Sequence, residues 1–199
     1  MVSSTGREEA GRRMGPEGSE NWHAMLDGAE AILREEGHAQ LTSRSIADRI
    51  GVKQRLVYYY FRTMDDLVIA LFHRMAEREM ARLKAAASGE RPLRAIWDIS
   101  LHSTDARLIS EFMALANRIE GLRREVLHFI EESRALEIEV LETALARAPR
   151  SVEMDASALA VTITSLALLL SRERQLGVAT GHDAVSASLS TLLDELEPG

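Results

Sequence analysis

Residues 41–67 constrain the fold of this chain more than any other stretch. They read LTSRSIADRIGVKQRLVYYYFRTMDDL and consist of two short amphipathic segments on either side of Gly51. Ile46, Ala47 and Ile50 would share one face of a helix of about two turns, and hydroxyl side chains crowd its start. Glycine reaches positive φ without steric cost, so we expect a sharp turn at Gly51.

A second short helix is expected after this turn, with Val57 and Phe61 as its buried i, i+4 pair. Two short helices joined by a tight turn that contains glycine form a helix-turn-helix, whose second helix can enter a DNA major groove. The whole chain has a formal net charge of −7, but between Thr42 and Met64 five basic residues face a single acid. Any DNA contact must therefore be a local basic patch, although the charge alone would also suit a solvated helix face.

These residues resemble the DNA-binding domain of TetR-family transcriptional regulators. The resemblance covers roughly residues 22–70. It is carried by Ile46-Ala47, Gly51-Val52, Val57-Tyr58, Phe61 and Leu67, and by the apolar stripe Leu26, Ala29, Ile32 and Leu33 of the preceding helix, which Gly37 ends.

The remaining sequence has helical periodicity, with no strand pattern and no internal repeat, so we predict an all-α protein. We expect an N-terminal three-helix helix-turn-helix domain followed by a larger helical ligand-binding and dimerisation domain. The predicted divisions are a disordered arm over 1–20, the DNA-binding domain over 21–67, a connecting helix over 68–91 and the ligand-binding and dimerisation domain over 92–199. The predicted helices span 21–36, 43–50, 54–60, 67–88, 93–100, 105–119, 122–148, 155–176 and 183–196.

The polar residues of the helix-turn-helix are the predicted DNA contacts. Lys53, Gln54 and Arg55 open its second helix, at the end that meets base edges, where Arg suits guanine and Gln suits adenine, each discriminating by about 1–3 kcal/mol. The resemblance implies that Tyr58 and Tyr60 touch DNA while Val57 and Phe61 point inward. The full predicted set is Thr42, Ser43, Arg44, Lys53, Gln54, Arg55, Tyr58, Tyr59, Tyr60 and Arg62.

Three positions depart from the family pattern. Arg55 stands where small residues are common, Leu56 stands where a polar residue is frequent, and Met64 replaces a lysine that meets a phosphate. Loss of that phosphate contact should reduce the steepness of the slope of log K against log salt by about 0.9 per subunit. We expect an unusual operator and retained DNA binding.

The resemblance also implies that the C-terminal helices enclose a small-molecule site, and that the ligand shifts the protein between DNA-competent and DNA-incompetent arrangements. Candidate pocket residues are Trp97, His102, Phe112, Met113, Asn117, His128 and Phe129. Met and Phe at helical spacing are more often core than ligand wall. Aromatic residues make up only 5% of the chain, which argues against an aromatic-lined multidrug pocket.

A homodimer through the last two helices is the predicted assembly. The resemblance implies that these helices pair with their copies as a four-helix bundle. Residues 158–170 are apolar nearly all the way round, which indicates burial on several sides. The alternative is a central core helix of a monomer.

Enzyme and membrane functions are poorly supported by the sequence. The chain has no cysteine and no nucleotide-binding, hydrolase or zinc-protease motif, and Glu125 with His128 forms only one pair of the di-metal carboxylate type. We therefore expect no enzyme activity, no cofactor and no metal. Residues 1–20 lack the apolar core of a signal peptide, and the apolar run 156–170 is shorter than a membrane span of about 20 residues. We expect a cytoplasmic protein without a membrane partner.

The sequence predicts a sequence-specific DNA-binding transcriptional regulator, and more specifically a repressor that a small-molecule effector releases from double-stranded operator DNA. One alternative is a helical small-molecule-binding protein of the same fold without specific DNA binding. Another is an all-α enzyme that acts in the C-terminal pocket.

Overall fold

The computed structural model describes residues 15–101, 106–147 and 154–198. All regular structure within these ranges is helical, which confirms the predicted all-α class. Contacts between Cα atoms group the chain into two compact units, Met1–Leu67 and Val68–Gly199. The helices are α1 (Glu20–Glu35), α2 (Ser43–Ile50), α3 (Gln54–Tyr60), α4 (Met64–Ala87), α5 (Pro92–Leu101), α6 (Ala106–Ala116), α7 (Glu120–Arg147), α8 (Ala156–Gln175) and α9 (His182–Leu196). Residues 1–14, most of the predicted arm, lie outside the described residues.

The first unit is built on α1. The Ser19 hydroxyl accepts a hydrogen bond from the Trp22 backbone N–H at 3.4 Å and caps the helix, which begins one residue earlier than predicted. Its apolar stripe, Met25, Leu26, Ala29, Ile32 and Leu33, is fully buried. A 3-10 turn at His38–Gln40, which the sequence analysis did not predict, leads into the helix-turn-helix.

Helices α2 and α3 have the predicted bounds, and local chemistry explains both ends of α2. Thr42 and Ser45 form a reciprocal capping box, in which each hydroxyl accepts from the other residue's backbone N–H at 3.0 Å. Gly51 has φ of 72° in the left-handed region, and the Val52 N–H donates to the Ala47 carbonyl at 2.9 Å. This hydrogen bond closes the turn that separates the two helices.

Helix α4 begins at Met64, three residues before the predicted start. The Asp66 N–H donates to the Thr63 hydroxyl at 3.1 Å, and the Thr63 N–H donates to the Asp66 carboxylate at 3.0 Å. Asp66 therefore belongs to a capping pair as well as to the favourable end of the helix dipole.

In the second unit α8 packs against α5, α6 and α7. A single apolar core joins α5, α7, α8 and α9 with the end of α4. Trp97, Leu141, Ala167 and Leu193 are among its most buried members. Helix α7 begins at Glu120, two residues before the predicted start at 122, so Gly121 lies inside the helix. A Cβ at Gly121 would lie 2.7 Å from the Ile69 Cδ1 atom, so the glycine leaves room for the end of the Ile69 side chain.

Helix α8 buries one face within the chain and exposes the other. Val161, Leu168 and Leu169 are 45–51% exposed, so the burial on several sides that the sequence predicted is not provided by the described part of this chain. By its length of 20 residues and its composition alone, this helix is able to cross a membrane. In this structure 39% of its most apolar stretch is buried within the protein. The argument that the segment is too short for a span therefore does not apply to α8.

Candidate nucleic-acid interface and ligand cavity

Helix α3 presents its N-terminal turn outward. Lys53 is the N-cap residue in extended conformation, and Gln54 and Arg55 form the first helical positions; all three side chains are exposed. Val57 and Phe61 are buried, as predicted, and hold α3 against the unit's core. The residues that could read base edges are therefore at the surface of a helix fixed from behind.

The three consecutive tyrosines have different environments. Tyr58 and Tyr59 are 48% and 44% exposed, whereas Tyr60 is 7% exposed. Tyr60 packs edge-to-face with Tyr59, and its ring lies 2.4 Å from where a Cβ at Gly15 would stand. This placement disfavours Tyr60 as a DNA contact and favours Tyr59, in contrast to the pairing of Tyr58 with Tyr60 that the resemblance implied.

Ser43 connects α2 to α3. Its side chain is buried, its hydroxyl donates to the Tyr58 hydroxyl at 3.0 Å, and it accepts a hydrogen bond from the Gln54 amide nitrogen at 2.8 Å. The Ser43 side chain is therefore directed into the unit and engaged by α3, and its predicted contact with DNA stays a prediction. Because the Tyr58 oxygen accepts this bond, its own hydrogen is left to donate to another group.

Thr42 and Arg44, at the start of α2, are exposed, as is Arg62 after α3. The Thr42 hydroxyl already caps α2, and the Arg44 guanidinium lies 3.7 Å from the Asp48 carboxylate. The predicted phosphate contacts of these residues stay predictions.

Arg49 differs from the other basic residues of the motif. Its guanidinium donates to Glu35 and to Glu36, each at 2.7 Å, so it is held by two acids that follow one another at the end of α1. The hydrogen bond to Glu35 is the largest factor that raises the pKa of Arg49 above its already high value. Arg49 therefore belongs to the local framework, and the basic patch is smaller than the residue count suggested.

The second unit contains an apolar cavity of about 220 Å³ among α4, α5, α6, α7 and α8. Phe72, Phe112 and Phe129 line it, with Phe72 edge-to-face against each of the other two at centroid distances of 5.2 and 6.1 Å. Three of the chain's four phenylalanines thus form this wall. The low aromatic content of the whole chain was a poor guide to the composition of the cavity.

A polar pair, Arg134 and Glu137, lies in the same wall. Glu137 is 8% exposed, its carboxylate accepts from the Thr164 hydroxyl at 2.8 Å, and the Arg134 Nη1 atom lies 3.6 Å away from it. Burial raises the pKa of Glu137, against the opposing effects of Thr164 and Arg134. Neither member of this pair was among the predicted pocket residues.

The predicted pocket residues divide into three groups. Phe112, Met113 and Phe129 line the cavity. Trp97 is buried in the core shared by α5, α7, α8 and α9, and Asn117 and His128 are exposed and do not line it. His102 lies outside the described residues.

The Glu125 carboxylate lies 2.8 Å from the His73 ring, so its partner is not His128, the histidine at the di-metal carboxylate spacing. Within residues 15–101, 106–147 and 154–198 no group of three or more His, Asp or Glu side chains could hold a metal ion.

Comparison with known proteins gives one family match. Residues 25–71 match the bacterial regulatory proteins of the tetR family. This range contains α2, α3 and their turn, together with most of α1 and the start of α4. A search of curated proteins returned no match.

Solved structures share the whole fold. A candidate transcriptional regulator from Pseudomonas aeruginosa PAO1 is similar with a TM-score of 0.70 and 24% identity, covering 91% of this chain and 93% of that one. A candidate regulator from Saccharomonospora viridis, solved in complex with choline, has a TM-score of 0.73 and 15% identity, with 81% and 88% covered. The ketosteroid transcriptional regulator KstR2 of Mycobacterium tuberculosis has a TM-score of 0.67 and 19% identity, with 92% and 97% covered.

At these identities the structural neighbours establish the fold, and the match of residues 25–71 carries the family assignment. The helix-turn-helix geometry and the exposed N-terminus of α3 agree with that match. Residues 25–71 are therefore a domain of the tetR family of bacterial regulatory proteins, and this domain identifies the chain as a DNA-binding transcriptional regulator.

Proposed function

We propose that this chain is a homodimeric repressor that a small-molecule effector releases from its operator. The observation that carries the proposal is the first turn of α3, where Lys53, Gln54 and Arg55 are exposed on a helix anchored by Val57 and Phe61. This is the end of a recognition helix that meets base edges in the major groove.

Within this proposal the exposed side chains take separate roles. Gln54 and Arg55 read bases, and Lys53 neutralises a phosphate. Tyr58 donates its hydroxyl hydrogen to a phosphate oxygen, because its oxygen already accepts from Ser43. Thr42, Arg44, Tyr59 and Arg62 supply further backbone contacts.

The effector site is the phenylalanine-lined cavity of the second unit. It is concave and mostly apolar, with few polar groups, which is typical of small-molecule sites. The complex of a structural neighbour with choline supports a small-molecule ligand for this fold. Release from DNA requires that the effector bind the DNA-incompetent state more tightly than the competent state.

Dimerisation uses the outer faces of α8 and α9. The α8 outer face carries the exposed residues Ala158, Val161, Thr162, Ser165, Leu168 and Leu169, which share one side of the helix. The α9 outer face carries the exposed small residues Ala184, Ala187, Ser188 and Thr191 at the same helical spacing. An apolar stripe on α8 and a stripe of small residues on α9 suit close packing against a second copy of both helices.

We also propose that the chain acts in the cytoplasm and has no enzymatic activity. The support is the match of residues 25–71 to the tetR family of bacterial regulatory proteins. Turnover of any small molecule by the purified chain would contradict this part of the proposal.

Binding to DNA upstream of the chain's own gene tests the DNA role. Fluorescence anisotropy with scrambled competitor should show binding that resists competition, and Lys53→Ala/Arg55→Ala should abolish the site preference. Arg124→Ala is the matched control, since Arg124 is exposed on α7 in the other unit. Binding that competitor removes equally from wild type and variant would refute the proposal for that DNA.

The assembly is tested by light scattering on a sizing column. Val161→Glu and Leu169→Glu each place a charge on the α8 outer face and should shift the dimer toward monomer. Leu127→Glu, at a side chain 51% exposed on α7, is the control. A wild-type monomer, or equal behaviour of all three variants, would contradict the proposed interface.

A further inference from the structure

The apolar cavity of the second unit contains one polar pair, Arg134 and Glu137, and a ligand can contact either member. Its aromatic side is formed by Phe72, Phe112 and Phe129, and its most buried charged group is Glu137, with Arg134 beside it. The cavity measures about 220 Å³, below the roughly 300–1,000 Å³ of sites for drug-sized ligands. The ligand is therefore small and mostly apolar.

The polar pair has unused hydrogen-bonding capacity on both sides. Among the described residues, the buried Arg134 Nη1 atom has no hydrogen-bond partner. The Glu137 carboxylate accepts from Thr164, and a carboxylate has room for about four such bonds. An unsatisfied buried donor costs about 1–3 kcal/mol, so a ligand that supplies an acceptor recovers this cost.

The distance between the two groups fits a single bridging oxygen. Arg134 Nη1 and Glu137 Oε2 are 3.6 Å apart, too far for a direct hydrogen bond. An oxygen placed about 2.8 Å from each atom would accept from the guanidinium and donate to the carboxylate, with both lengths in the usual range. A hydroxyl group has the one hydrogen and the lone pairs that this position requires.

Charge favours a neutral ligand. The polar pair is formally neutral, so an ammonium group attracted by Glu137 is repelled by Arg134, and a carboxylate meets the reverse. The cavity wall contains one more charged residue, Glu79 of α4. Its carboxylate lies 2.9 Å from the Arg82 guanidinium. Bringing a net charge into an apolar cavity also carries a desolvation cost that a hydroxyl avoids.

We propose that the cavity binds a small, uncharged, apolar molecule that carries one hydroxyl group, with the hydroxyl oxygen between Arg134 and Glu137. This inference rests on the proposed role of the cavity as the effector site, and it specifies the chemical class of the ligand.

Four probes with the same skeleton separate the alternatives. These are 4-phenylbutan-1-ol, 4-phenylbutylamine, 4-phenylbutyrate and butylbenzene, which carry a hydroxyl, a cation, an anion and no polar group. Isothermal titration calorimetry with the full chain and no DNA should rank the alcohol first. It should bind about tenfold more tightly than butylbenzene, because hydrogen bonds to charged groups are worth about that factor.

The variant Arg134→Met ties this binding to the polar pair. It removes the donor and leaves the carboxylate alone, so the alcohol should lose about tenfold in affinity and the amine should gain relative to it. Arg124→Met on the same helix, an exposed arginine 3.9 Å from Glu120, should leave all four affinities unchanged. If Arg134→Met does not fold, the order of the four probe affinities for the wild-type chain tests the inference by itself.

The inference is overturned if the amine or the carboxylate binds most tightly, if butylbenzene equals the alcohol, or if none of the probes binds. These outcomes do not depend on DNA binding. A chain that binds the alcohol and no operator would contradict the proposed function and leave this inference intact. A chain that binds its operator and none of the probes would contradict this inference and leave the proposed DNA binding intact.

Discussion

Replacing Lys53 and Arg49 separately by glutamine tests whether the structure has identified the cations that face DNA. Both residues are basic members of the same motif. Lys53 is exposed at the start of α3, whereas Arg49 donates to Glu35 and Glu36 at 2.7 Å each. We expect Lys53→Gln to weaken the salt dependence of operator binding and Arg49→Gln to leave it nearly unchanged.

The magnitude follows from counterion release. Each phosphate contact contributes about 0.9 to the slope of log K against log salt, so loss of Lys53 from two DNA heads should flatten it by about 1.8. Between about 50 mM and 200 mM salt, the wild type should therefore lose about twelvefold more affinity than Lys53→Gln. The assay is fluorescence anisotropy on one operator fragment at four or more salt concentrations.

Arg49→Gln serves as the matched control because it removes the same charge from the same unit. Both variants should be compared below their melting transitions, since Arg49→Gln loses two ion pairs within the unit. Equal slopes for Lys53→Gln and the wild type would refute the assignment of Lys53 to a phosphate. A flattening by Arg49→Gln as large as that by Lys53→Gln would show that the ion pairs with α1 do not hold in solution.

Three further variants test single steps of the structural argument. Gly51→Ala places a Cβ at φ of 72° and should lower the free energy of unfolding by about 1 kcal/mol or more in chemical denaturation; an unchanged midpoint would contradict the left-handed turn. Ser43→Ala should cost about 1 kcal/mol of stability and relax the preference at the base that Gln54 reads, whereas unchanged selectivity would remove Ser43 as a positioning residue. Because burial raises the pKa of Glu137, its contribution to stability is fully present below the ordinary value of 4.5 and is lost as pH rises through the folded pKa. Glu137→Gln should therefore be less sensitive to pH above 4.5 and more stable near neutrality, and parallel stability–pH curves for variant and wild type would contradict the shift.

The helix-turn-helix was predictable because its determinants are local. The cap at Thr42, the left-handed Gly51 and the apolar pair Val57 and Phe61 all lie within a few residues of the ends that they fix, and α2 and α3 have the predicted bounds. The start of α4 was predicted three residues late because the capping pair of Thr63 and Asp66 was not recognised in the sequence. The Thr63 hydroxyl accepts a hydrogen bond from the Asp66 N–H, and this cap allows the helix to begin at Met64.

The exposure of the tyrosines was not predictable from α3 alone. Consecutive residues on a helix differ by about 100°, so three tyrosines in a row cannot all face DNA, but the sequence does not show which one is covered. Tyr60 is covered by Gly15, which is far away in sequence, and the Gly15 N–H donates to the Tyr59 carbonyl at 2.9 Å. A contact from outside the motif therefore decides which hydroxyls remain available.

Glu137 shows that a signal for the cavity was present in the sequence. The buried residues Val126, Leu141 and Ala144 of α7 lie eleven positions before Glu137 and four and seven positions after it, which places all four on one side of the helix. An acid on an apolar stripe must bury its carboxylate, which is costly unless partners are present, and Thr164 and Arg134 supply them only in part. Phe129 on the same helix has an ordinary explanation as a core residue, whereas a carboxylate has none. The buried acid was therefore the better marker of the cavity, since ionisable groups with perturbed pKa values concentrate where proteins bind or react.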